Sequence, residues 1–93
     1  MSLDVLRKRI DEIDRELVEL LCRRAETATE IGAEKRRQQA CIQDRVREDE
    51  VLERARRLNR GPLTAEDVTG VFREIIEACS RVQERSGTEA RRG

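Results

Sequence analysis

The feature that most constrains this chain is the spacing of apolar residues in its first third. Leu3, Leu6, Ile10, Ile13, Leu17, Leu20, Leu21, Ala28 and Ile31 recur mostly in steps of three and four, with no proline in that stretch. This is the period of a helix with one apolar stripe. Ser2 or Asp4 is a candidate cap at its start. Gly32 lowers helix propensity by only about 1 kcal/mol. The spacing predicts one helix from about residue 4 to 38, roughly 50 Å long.

A helix of that length cannot be covered by two short partners within 93 residues. The chain has one aromatic residue, Phe72, and a hydrophobic fraction of 37%. A monomeric core would be marginal, and the same helix of a second copy is the natural cover.

The stretch "QQACIQD" breaks the pattern. A second helix is predicted from about Asp44 to Leu58, with Val51, Leu52, Ala55 and Leu58 on its apolar side. Gly61 and Pro62 stop it. Thr64 and Asp67 form a weak capping-box pattern for a third helix. That helix carries Val68, Val71, Phe72, Ile75, Ile76, Cys79 and Val82, and is predicted to end near Arg85. The tail "SGTEARRG", residues 86–93, is small and polar and is predicted to be disordered. No strand signal or repeat is present. The fold class is all-α, with three helices in a single domain over residues 1–93.

Lys and Arg number 20, as do Asp and Glu. Zero net charge disfavours a general polyanion binder, and the lack of Trp and Tyr removes most stacking platforms, so no nucleic-acid partner is expected. No segment reaches the roughly 20 apolar residues of a membrane span, so no membrane partner is expected. Cys22, Cys41 and Cys79 stand far apart and there is no histidine, so no metal site is expected. An odd cysteine count without a signal sequence points to the cytoplasm.

Several polar residues sit where the pattern invites apolar ones. Arg24 and Lys35 share a helix face, within about 20° and about 16 Å of each other along the axis. They either lean towards one small anion or snorkel from the surface. Arg7 lies about 25 Å from Arg24, too far to clasp the same ligand from one straight helix. In an antiparallel pair of these helices, Arg7 of one copy can come opposite Arg24 of the other. Gln83 follows Cys79 by four residues on an apolar stripe. It either needs a buried partner or has run past the core edge into water. In "QDRVREDE", Asp44 is a candidate N-cap, Glu48 faces the same way one turn on, and Arg47 is adjacent. Taken alone, this run reads as a solvated helix face. With no histidine and no phosphate-binding glycine loop, any chemistry falls to Arg, Lys, Gln and carboxylates, through positioning and electrostatics.

The order of these residues resembles the all-helical AroQ class of chorismate mutases. "LRKRIDEIDRELVELLCRR" is similar to that family's opening helix, "IGAEK" to its IGxxK segment, "DRVRE" to its DxxRE element, and "FREIIEACSRVQ" to its SxxxQ ending. The resemblance covers about residues 3 to 84. It implies an intertwined antiparallel homodimer with two equivalent sites, and the conversion of chorismate to prephenate without cofactor or metal. By the same resemblance, Arg7 from the partner and Arg24 bind the carboxylates of this small dicarboxylate substrate. Lys35 and Gln83 address its ether oxygen, Glu48 its ring hydroxyl, and Asp44 and Arg47 that same end. Cys79 stands where the family has serine. A thiol is a weaker donor than a hydroxyl. Moving the register to use Ser80 would lose the four-residue spacing to Gln83. Aminodeoxychorismate mutase and isochorismate pyruvate lyase share this scaffold. Two further alternatives are a non-catalytic helical dimerisation protein and a mutase activated by a partner enzyme.

Overall fold

The computed structural model describes the backbone of residues 2–92 and the side chains of residues 2–85. It contains α1 (Leu3–Arg37), α2 (Arg45–Leu58) and α3 (Ala65–Arg92). No strand occurs among the described residues. The all-helical, three-helix architecture is as the apolar periods predict.

Local chemistry explains most of the boundaries. Ser2 caps α1, its Oγ accepting from the Val5 amide at 3.2 Å. Asp44 caps α2, its carboxylate accepting from the Arg47 amide at 3.0 Å. Thr64 and Asp67 form a reciprocal capping box at the start of α3, with both bonds at 3.1 Å. After α2, Gly61 takes the left-handed conformation (φ 77°) expected of a stop signal. Asn59 ties that loop, accepting from the Gly61 amide at 2.9 Å and donating to the Leu63 carbonyl at 2.7 Å.

One boundary differs from the sequence expectation, and one turn carries an unusual residue. The third helix continues to Arg92 rather than ending near Arg85. The expected disorder of the 86–93 tail falls on residues whose side chains, and for Gly93 also the backbone, lie outside the described residues. At the end of α1, Gln39 adopts φ 57°. The Gln39 amide bonds the Arg36 carbonyl at 3.1 Å, and the Ala40 amide bonds the Lys35 carbonyl at 2.8 Å. This is a Schellman turn, with glutamine where glycine usually sits.

The central element is α3, which packs on both α1 and α2, while α1 and α2 do not pack on each other among the described residues. The shape is a slab of 54 × 28 × 14 Å. Its core is small: Ala28 and Gly32 from α1, Leu52 and Ala55 from α2, and Val68, Thr69 and Cys79 from α3. The buried Thr69 hydroxyl donates to the Ala65 carbonyl at 2.8 Å and accepts from Arg56 at 3.2 Å, joining α2 to α3.

The apolar stripe of α1 is left open. Leu6, Ile10, Ile13, Leu17, Leu20 and Leu21 are all exposed, Ile10 by 56% and Leu17 by 51%. A continuous row of this size is more apolar surface than an isolated domain leaves in water without a purpose. No helix is long and apolar enough to cross a membrane among the described residues.

Candidate active site

A half-open cavity of about 650 Å³ lies between the C-terminal half of α1, the start of α2 and the middle of α3. It is large enough for a small organic ligand. Arg24 and Lys35 line it from α1, Asp44, Arg47 and Glu48 from α2 and its cap, and Cys79 and Gln83 from α3. Every site residue predicted from sequence is therefore at this cavity except Arg7, which does not line it. That absence follows from the separation along α1.

Lys35 and Gln83 form a pair. The Lys35 ammonium donates to the Ile42 carbonyl at 2.5 Å and to Gln83 Oε1 at 3.3 Å. An ammonium has three donors, so one remains for a ligand. With Oε1 held by Lys35, the Gln83 amide nitrogen is the free end, and it has no protein partner among the described residues. Both side chains are half-buried. Gln83 has therefore not run past the core edge into water; it is held at the cavity wall.

Arg24 is half-buried and makes no ion pair among the described residues. An unpaired guanidinium beside a cavity is suited to bidentate binding of a carboxylate. The cavity wall carries four cations, Arg23, Arg24, Lys35 and Arg47, against two carboxylates, Asp44 and Glu48. The balanced charge of the whole chain thus hides a locally positive site, which favours an anionic ligand.

The ring of residues at the start of α2 is more mixed. Glu48 is half-buried at the cavity wall. Asp44 spends one oxygen on the helix cap. Arg47 reaches outward to Glu50 at 3.2 Å, and both of these side chains are more than half exposed, so the pair adds little stability. Cys79 is buried, and its neighbour Ser80 also lines the cavity. A hydroxyl is therefore available beside the thiol without any change of register.

Sequence reasoning set one contributor aside and missed the roles of three. Ser80 lies out of the four-residue spacing to Gln83. The Ile42 carbonyl is a backbone group with no residue-type signature. Arg36 donates to the Gln83 carbonyl at 3.4 Å. Gly32 lies directly against Gln83.

The helices and the cavity together define an all-helical protein with a cation-rich pocket of a size and charge suited to a small anion. The profile of the family described as chorismate mutase type II matches residues 6–84. The chain belongs to the chorismate mutase type II family. It is 38% identical over 88 residues to the bifunctional chorismate mutase/prephenate dehydratase of Aquifex aeolicus, covering 90% of this chain and 24% of that protein. The protein of the same description from Neisseria gonorrhoeae is 40% identical over 77 residues, covering 83% of this chain and 21% of that protein. The chain thus spans about a quarter of the length of these curated relatives. A solved structure of chorismate mutase (form II) from Thermus thermophilus superposes with a TM-score of 0.87 at 32% identity, covering 89% of this chain and 94% of that one.

Proposed function

We propose that this chain is a chorismate mutase that acts as an intertwined antiparallel homodimer. The observation that carries the reading is the Lys35–Gln83 pair beside an unpaired Arg24 in a cation-rich cavity. The reaction breaks one C–O bond and forms one C–C bond within the same molecule. Negative charge grows on the ether oxygen as the C–O bond lengthens. The third donor of Lys35 and the free amide of Gln83 are the groups to meet it, and they stabilise the transition state more than the ground state. Arg24 takes one carboxylate, and Arg7 of the second copy takes the other. Held at both ends, the substrate is kept in its compact reactive conformer. Glu48 accepts from the ring hydroxyl, Asp44 and Arg47 frame that end, and Ser80 supplements Cys79.

The open stripe of α1 supports the dimer. Covering the remaining exposed area of each large side chain is worth about 1 kcal/mol per residue. An antiparallel arrangement also carries Arg7 across the roughly 25 Å that separates it from its own Arg24. The bifunctional relatives join a chorismate mutase to a prephenate dehydratase, which supports prephenate as the product here. The exposed free thiols of Cys22 and Cys41 suit a reducing cytoplasm.

The test is a substrate panel of chorismate, aminodeoxychorismate and isochorismate, with products identified by mass and ultraviolet absorbance. Conversion of chorismate to prephenate is expected. Turnover of aminodeoxychorismate or isochorismate in its place would reassign the substrate. Turnover of none would leave a non-catalytic dimerisation protein.

A further inference from the structure

Gly32 lies in the middle of the last third of α1, where glycine is the poorest helix former after proline. It is nevertheless buried against α3. A β-carbon built there would stand 3.1 Å from Gln83 Cα, 3.2 Å from Gln83 Cβ and 3.3 Å from the Gln83 carbonyl oxygen. All three nearest atoms belong to one residue, and that residue carries the free amide of the cavity. One turn further on, Lys35 holds the Gln83 side-chain oxygen at 3.3 Å and Arg36 holds its backbone carbonyl at 3.4 Å. A single turn of α1 therefore touches the backbone, the β-carbon and the side-chain oxygen of residue 83.

We infer that Gly32 and Arg36 are positioning residues that set where the Gln83 amide points. The inference rests on the proposed mutase reading, in which that amide meets the ether oxygen. Gly32 acts by allowing α3 to approach, and Arg36 by fixing the carbonyl of residue 83. Neither touches the substrate. A β-carbon at position 32 must push the backbone of α3 away by a few tenths of an ångström, because no flexible side-chain end is there to yield. Misplacement by 1 Å can cost about a hundredfold in rate, so a shift of this size is expected to cost about three- to tenfold.

Gly32→Ala should lower kcat by that amount with little change in KM. Arg36→Met, which keeps the aliphatic stem and removes the donor, should give a smaller loss in kcat. The discriminating measurement is the double variant. In a Gln83→Ala background the amide is already gone, so adding Gly32→Ala should change kcat by less than about twofold. A loss as large as in the parent chain would mean that Gly32 acts on general packing, and the inference would fail. A second readout needs no activity. The side-chain amide signals of Gln83 in a ¹⁵N NMR spectrum, assigned by their disappearance in Gln83→Ala, should move in Gly32→Ala while those of Gln38 stay in place. Unmoved Gln83 signals would overturn the inference whatever the assay gives. Absence of turnover in the parent chain would overturn the mutase reading instead and leave the NMR test standing.

Discussion

The two halves of α1 share one helical period but differ in the size of the residues on it. From Leu3 to Leu21 the stripe is built of leucine and isoleucine, and these are exposed. From residue 24 onward its centre is Ala28 and Gly32, and these are buried against α3. Small residues mark where the chain's own helix comes close. Large ones mark a face with more apolar surface than this chain can cover. The period identifies the helix, and side-chain volume separates the half completed by the same chain from the half that this chain leaves open.

The largest expected effect lies in the open half. Replacing Ile13 and Leu17 together by Glu should abolish the dimer and with it the activity, because charges enforced in an apolar helix interface cost several kcal/mol. Light scattering should report a monomer. A fully active dimer would show that the stripe is not the interface.

The closed half predicts a different signature. Lys35→Ala should lower kcat by about a hundredfold or more, with helicity and dimer mass retained. In the proposed mechanism this removes a charged donor to the reacting centre, and with it the group that holds Gln83 Oε1. Unchanged kcat would remove Lys35 from the mechanism.

Much of this division is legible in the sequence, because its signals are local. Helical period, the caps at Ser2, Asp44 and Thr64, and the stop at Gly61 each involve residues a few positions apart. The cavity residues are legible as a set only through the resemblance, since periodicity leaves Lys35, Gln83 and Glu48 equally readable as surface groups. What stays hidden is non-local or lacks a residue-type signature. Gly32 reads as a flaw in a helix, and only α3 packed against it explains its place. Ile42 contributes only its carbonyl to Lys35. The Schellman turn is masked by glutamine at the position where glycine would announce it.

Smaller effects sharpen the boundary of the closed half. Thr69→Val should lower stability by roughly 1–1.5 kcal/mol in urea unfolding by removing the tie to Arg56 and Ala65. It should leave kcat unchanged, since Thr69 is remote from the cavity wall. An equal loss of kcat would mean that α2 placement and the site are coupled. The smallest change is a gain. Gln39→Gly should add about 0.5–1 kcal/mol by relieving a left-handed backbone that disfavours side chains. No gain would indicate that the Gln39 side chain compensates for its backbone.

The central claim is that each site is built from both halves of α1, one from each copy. Mixing Arg7→Ala with Lys35→Ala, each nearly inactive alone, tests it directly. After subunit exchange, half of the dimers are mixed and each holds one intact site, so activity should recover to about a quarter of the parent value. No recovery, with exchange verified by mass spectrometry, would contradict a shared site.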